Sequence, residues 1–302
     1  MQGVAIPARE NIARAMSHFP IPWQGNKRRE LAKILPHIPA HCRTLVEPFA
    51  GTACVSFAHW SGAADRDACR YILGDQDAGL CAFITALRAE GLEPFLDWVR
   101  PRLNAADFMA IERGDPAADS PREWFYRRKV RRGVFDPKKE VPRKWPALSY
   151  SPSQRSGVEF FRSSRLEVVC QDWLATAEAH ARDPYAVIYF DPPYFGAYNQ
   201  WYDGREALTD EGGAVDGTTI FVEMARILRG GAATVIISTN GLAILLEVFG
   251  SFVREVYPVR YSNAFKHRSG KYGGKTSRHL IAVRIGLPPP TDEELDEFLA
   301  GL

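Results

Sequence analysis

The sequence predicts an α/β protein on an open sheet, interrupted once by a helical, cation-rich insertion. Three observations predict this. Short β-prone apolar runs alternate with helix-length amphipathic stretches through most of the chain. Two of the runs end in a carboxylate, at Asp75 and Asp191, and a third ends in Ser238-Thr239-Asn240. Ligands of open α/β sheets bind at such carboxyl ends. The alternation stops between residues 91 and 165, where aromatic anchors sit among many arginines and lysines. With 302 residues, 46% apolar and 25% charged, the chain is long enough for one large domain with an insertion.

Taken in order, residues 1–20 give no periodic signal and read as a loosely held arm. Gly25-Asn26 forms a turn into a helix with Leu31, Ile34 and Leu35 at helical spacing. Residues 43–49 read as a strand. Ala50-Gly51-Thr52-Ala53-Cys54 then makes a small-residue turn into a helix running through Trp60. Small side chains let a ligand approach the backbone and the helix N-terminus. The run is no Gly-x-Gly-x-x-Gly fingerprint and lacks the lysine of a phosphate loop. Tyr71–Asp75 is the second strand, and its terminal acid can accept both hydroxyls of a ribose. Asp77 reads as the N-cap of a helix over 78–89.

After the insertion, Arg165–Cys170 returns to strand and Gln171-Asp172-Trp173 opens a helix. An N-cap aspartate with a core tryptophan, or a pair that contacts a ligand ring, fits those residues equally. Val187–Phe190 is a buried strand that ends at Asp191-Pro192-Pro193-Tyr194. The two prolines forbid further ladder bonds and a helix start. Phe195 to Gly217 is too long and polar for a simple connection and reads as a mobile loop, with Tyr198, Trp201 and Tyr202 able to hold a base. A helix over 218–229, a strand over 233–239, a helix over 241–249 and a closing strand pair over 252–261 and 278–284 complete the order. Gly274-Lys275-Thr276 ends like a phosphate loop, but Ser269 stands where its first glycine belongs. A short acidic helix ends the chain.

The chemistry gathers at Asp191. An exocyclic amine on a flat base delocalises its lone pair into the ring and is a poor nucleophile. A carboxylate and a backbone carbonyl can accept its two N–H hydrogens and favour the pyramidal geometry that attack on a methyl group requires. Asp191, the Pro192 carbonyl and the Tyr194 ring supply an acceptor, a second acceptor and a stacking surface. Charge adds to this. Residues 121–165 carry 13 Lys/Arg against 4 Asp/Glu, and residues 260–278 carry 6 against none, under a formal net charge of only +2. Two basic patches on an acidic body suit a nucleic-acid binder. The five cysteines are odd in number with no Cys-x-x-Cys, and no signal peptide or membrane-length apolar run is present, which fits a reducing, cytoplasmic setting.

Asp191-Pro192-Pro193-Tyr194 resembles the catalytic motif of S-adenosylmethionine-dependent amino-methyltransferases. The order of motifs over residues 20–285 resembles a Dam-type DNA adenine methyltransferase. Trp23, Gly25 and Lys27 match the family's Trp-x-Gly-Gly-Lys opening, with Asn26 at the second glycine. Glu47, Phe49 and Gly51 match its Glu-Pro-Phe-x-Gly-x-Gly donor loop, with Ala53 at the last glycine. The resemblance implies a Rossmann-like class I methyltransferase domain with a mixed seven-stranded sheet, formed by residues 1–90 and 166–302. It implies a mostly helical target-recognition insertion over 91–165. S-adenosylmethionine would be held by those matching residues, with Asp75 on its ribose and Asp172 and Trp173 on its adenine. The substrate would be duplex DNA, methylated at adenine N6 after base flipping, and a restriction endonuclease is an admissible partner. Arg127, Arg128, Lys129, Arg131, Arg132, Lys138 and Lys139, with Lys266 and Arg268, are expected on the DNA. No metal is expected, since a sulfonium is already activated. Methylation of adenine in RNA or of cytosine N4, and a binding protein without catalysis, are the alternatives. Asp rather than Ser at 191 favours adenine, and intact residues 191 and 194 favour an enzyme. The family's recognition pattern is poorly matched in the insertion, so no target sequence transfers.

Overall fold

The computed structural model describes residues 18–21, 23, 27–113, 120–130, 135–136, 141–142, 145–193, 217–240, 243–260 and 276–286. The expected arm before residue 18, the expected loop over 195–216 and the expected C-terminal helix lie outside the described residues.

Seven strands form one mixed sheet: β1 (Thr44–Glu47), β2 (Arg70–Asp75), β5 (Leu166–Cys170), β6 (Ala186–Phe190), β7 (Thr234–Asn240), β8 (Val253–Arg260) and β9 (Thr276–Arg284). Their order is β5-β2-β1-β6-β7-β9-β8. β1–β6, β6–β7 and β2–β5 pair in parallel, while β9 runs antiparallel to both β7 and β8. This is the mixed α/β architecture that the sequence implied. A short antiparallel pair, β3 (Phe135–Asp136) and β4 (Val141–Pro142), stands apart from it and had no signal in the sequence.

The chain divides into two compact units. The first holds residues 1–36 and 47–176. Its helices are α1 (Leu31–Ile34), α2 (Cys54–Gly62), α3 (Ala78–Glu90), α4 (Glu93–Val99), α5 (Ala105–Arg113), α6 (Pro121–Val130), α7 (Pro152–Phe161) and the start of α8 (Trp173–Glu178). Gly91, with φ 78°, closes α3, and Ser151 opens α7 through a reciprocal bond pair with Gln154. The core is aromatic. Phe83 stacks on Trp124 at 5.2 Å and on Phe125 at 5.4 Å, and meets Phe95 edge-on at 5.2 Å. Phe95, Phe125, Phe160 and Phe161 are fully buried, so residues 91–165 contribute directly to this core. Truncating any one of them to Ala would cost about 3–5 kcal/mol.

One expectation is corrected in this unit. Residues 18–20 are no loose arm. His18, Phe19 and Ile21 are buried, and the His18 ring stacks on Phe57 at 4.5 Å and 6°. Three residues are too few to show a period, so their packing had no signal.

The second unit holds residues 37–46 and 177–302, with helices α9 (Gly217–Gly230) and α10 (Ala243–Phe249). β6 is buried at every position and β7 at all but the last. Strands covered on both faces read as unbroken apolar runs, which is why both were legible. Phe190 pairs with Ile237 in parallel, so Asp191 leaves β6 beside Ser238, while β7 runs on to Asn240.

Candidate active site

In the first unit the loop between β1 and α2 is shaped by hydrogen bonds from distant side chains. Gly51 (φ 48°) and Ala53 (φ 53°) both take left-handed backbone. Ala53 is the only described non-glycine residue to do so, a conformation that costs it about 1 kcal/mol or more. Bonds from three side chains help to hold the loop. The Gly51 N–H donates to Asp75 Oδ2 at 3.0 Å. His18 Nε2 lies 2.6 Å from the Thr52 carbonyl, which can only accept, so Nε2 carries the proton. The Ser56 N–H donates to buried Glu47 Oε1 at 2.6 Å. Ala53 is the N-cap of α2 and has no side-chain oxygen, so the Glu47 carboxylate does the capping from the end of the preceding strand.

Asp75 is half-buried at the end of β2. Its other oxygen accepts the Asp77 N–H at 3.0 Å. Backbone N–H groups of Gly51, Asp77 and Gln76 thus fix the carboxylate. Burial pushes its pKa above the usual range and the Asp77 charge adds to the rise, while the backbone N–H groups oppose it. Asp77 caps α3, as expected, by accepting from Leu80 N–H at 2.9 Å.

Aromatic rings flank the loop. Phe49 stacks on Trp173 at 5.4 Å and 23°. Trp173 is buried, whereas Asp172 is exposed, accepting from Leu174 N–H at 2.8 Å and from Gln76 Nε2 at 2.7 Å. Asp172 therefore caps α8, whatever else it contacts. Trp23 lies over Gly51, where a Cβ would come within 3.1 Å of its Nε1. Lys27 is buried in a single 3-10 turn. Gly25 lies outside the described residues.

Three of the cations expected on DNA have partners inside the unit. Arg127 donates to the Ile111 carbonyl. Arg128 pairs with Asp77 Oδ2 at 3.4 Å and lies 5.4 Å over the rings of both Trp23 and Trp124. Lys129 reaches the Pro20 carbonyl at 3.5 Å and the Tyr150 ring at 4.5 Å, and burial pushes its pKa down. A run of cations in sequence cannot reveal such partners: Asp77 is 51 positions from Arg128. Trp124, His18 and Asp77 are the residues that sequence reasoning undervalued here. Arg131, Arg132, Lys138, Lys139, Lys266 and Arg268 lie outside the described residues.

In the second unit, Asp191 follows β6 and is half-buried, Pro192 is buried and Pro193 is half-buried. Beneath them the Tyr189 hydroxyl and Ser238 Oγ share a buried 2.6 Å hydrogen bond that ties β6 to β7 just before the turn. Tyr194 lies outside the described residues. A carboxylate at a strand end, followed by a proline with no N–H to donate, gives two acceptors and no competing donor from the prolines.

The family described as D12 class N6 adenine-specific DNA methyltransferase matches residues 23–139, from Trp23 through the donor loop into the insertion. The Type II methyltransferase M.CviBI of Paramecium bursaria Chlorella virus NC1A is 20% identical over 269 residues, covering 86% of this chain and 97% of the viral protein. Over residues 23–139 the chain is similar to the D12 class. Both matches are to methyltransferases, the first described as specific for adenine N6 in DNA. Among the described residues no group of three or more His, Cys, Asp or Glu could hold a metal ion, and no helix is long and apolar enough to cross a membrane.

Proposed function

We propose that the methyl donor is S-adenosylmethionine, held by the first unit, and that Asp191, the Pro192 carbonyl and Tyr194 present the adenine amine. The fixed, half-buried carboxylate of Asp75 beside the left-handed Gly51 suits the donor. An acidic strand end accepts ribose hydroxyls, and a loop of small residues admits the ligand to the backbone. Trp23, Phe49 and Trp173 provide apolar faces for it, with Asp172, Lys27 and Gly25 as further contacts and Glu47 as the brace of the loop. When bound, S-adenosylmethionine supplies an electrophilic methyl group on a sulfonium sulfur.

The chain's own part is to prepare the nucleophile. The Asp191 carboxylate and the Pro192 carbonyl accept the two N6 hydrogens, and Pro193 stiffens the turn. As the N–C bond forms and the C–S bond breaks, N6 gains positive charge and its hydrogen bond to Asp191 strengthens. Interactions that grow in the transition state lower the barrier. Asp191 can then take the proton that the neutral product must lose. A base inside a duplex has to be flipped out to reach this turn, and Tyr194 stacks on it. Arg131, Arg132, Lys138, Lys139, Lys266 and Arg268 are assigned to the DNA backbone. Action on specific sites in duplex DNA, a cytoplasmic setting and pairing with a restriction endonuclease of the same specificity belong to the same proposal.

The observation that carries the reading is the half-buried Asp191 at the carboxyl end of a fully buried parallel strand, ahead of two prolines. The test is incubation of mixed-sequence DNA and RNA with labelled donor, followed by nucleoside analysis. Label in N6-methyladenine from duplex DNA is the expected result. Label only in RNA or in N4-methylcytosine would overturn the proposed substrate.

A further inference from the structure

The geometry points to Arg128 as a positioning residue for the methyl donor rather than a DNA contact: from α6 it pins Trp23 over the donor loop. This rests on the reading of the first unit as the donor site.

Trp124 and Arg128 are four residues apart on α6 and share one face. Trp124 lies flat on the first turn of α3, so close that a Cβ at Gly79 would sit 2.2 Å from its Cδ1. Only glycine admits the ring there, and this sets the register of α6 on α3. One turn on, the Arg128 guanidinium lies 5.4 Å over both the Trp124 and Trp23 rings. Those indoles are themselves 6.1 Å apart. Asp77 anchors the guanidinium from below with Oδ2 while capping α3 with Oδ1. The side chains of the ion pair are only 19% and 21% exposed, so water screens it less than a surface pair.

The consequence falls on Trp23. Its Nε1 edge sits where a Gly51 Cβ would be within 3.1 Å, so the indole forms a ceiling over the backbone that the donor has to approach. From its own segment Trp23 is met edge-on by Phe19 at 6.2 Å. Arg128 adds support from a helix more than a hundred residues away. A planar guanidinium can stack on two indoles and still fork to a carboxylate, whereas an ammonium cannot do both.

The test is calorimetric titration of S-adenosylmethionine into the wild type, Arg128→Gln, Arg128→Lys and Asp77→Asn, beside DNA-binding titrations over a salt series. Asn caps a helix as well as Asp, so Asp77→Asn removes the ion pair and keeps α3 intact. Arg128→Gln and Asp77→Asn are expected to weaken donor binding roughly tenfold. Arg128→Lys should not restore it, and the donor KM should rise more than kcat falls. The slope of log affinity for DNA against log salt should stay unchanged. Unaltered donor affinity in Arg128→Gln overturns the inference. So does a slope that flattens by about 0.9, the mark of a lost phosphate contact. Should Arg128→Gln melt early, Asp77→Asn alone decides: unaltered donor affinity there also overturns it. A wild-type chain that binds no donor overturns the donor-site reading itself, and this inference with it.

Discussion

The donor loop and the Asp-Pro-Pro turn reach a fixed backbone by opposite means. The loop has two left-handed residues and no proline of its own between Phe49 and Ser56, and it is shaped from outside. Asp75 holds Gly51, His18 holds Thr52 and Glu47 holds Ser56, across 24, 34 and 9 positions of sequence. The turn is shaped from inside by two proline rings, with a strand buried at every position behind it. The difference teaches where each half of the reaction is vulnerable. Remote changes should disturb donor binding, and only changes within the turn should disturb the chemical step.

The largest expected break is Asp75→Ala. It removes the acceptor of two charge-assisted hydroxyl bonds, each about 1.5–3 kcal/mol, and frees Gly51 as well. Donor affinity measured by calorimetry should fall by about a hundredfold or more. An unchanged affinity would place the donor elsewhere.

His59 on α2 tests the outside support by pH. Its Nδ1 is 2.9 Å from the Tyr71 hydroxyl on β2, and burial pushes its pKa down to about 4. The unfolded chain therefore binds this proton more tightly than the folded one. The stability is fully present above the unfolded pKa of about 6.5. It is lost as pH falls towards 4, by at most about 1.4 kcal/mol per unit. Denaturant unfolding of His59→Phe should be less steep in pH over that window. Identical slopes would remove His59 from the account.

His18→Phe is a smaller probe. It keeps the ring on Phe57 and deletes the donor to Thr52, at a cost of about 1–2 kcal/mol with the carbonyl left buried. The donor KM should rise several-fold while kcat changes less. A fall in kcat alone would contradict the loop's role. The smallest effect is expected from Pro193→Ala. Loss of one stiffening ring should lower stability by about 0.4–1 kcal/mol in a thermal melt, with donor affinity unaltered.

The strands were legible because parallel strands covered on both faces must be continuous apolar runs, and Val187–Phe190 is one. The closing pair β8 and β9 was legible for its β-prone residues, and Asp77 for its place ahead of a helix. Contacts distant in sequence were not. Nothing near His18 announces Thr52, and nothing near Arg128 announces Asp77. A cation count in α6 shows charge and no partners, because a guanidinium beside an indole and a carboxylate reads the same as one facing phosphate.

The division of labour between loop and turn is tested most directly by Asp191→Ala. Single-turnover methyl transfer to adenine-bearing duplex DNA is measured at saturating donor, beside donor affinity in the same preparation. The account predicts a rate lower by about a hundredfold or more with donor affinity unchanged, comparable to losing an oxyanion-hole donor. An equal rate in the two proteins, or a donor affinity that falls in step with the rate, would contradict it.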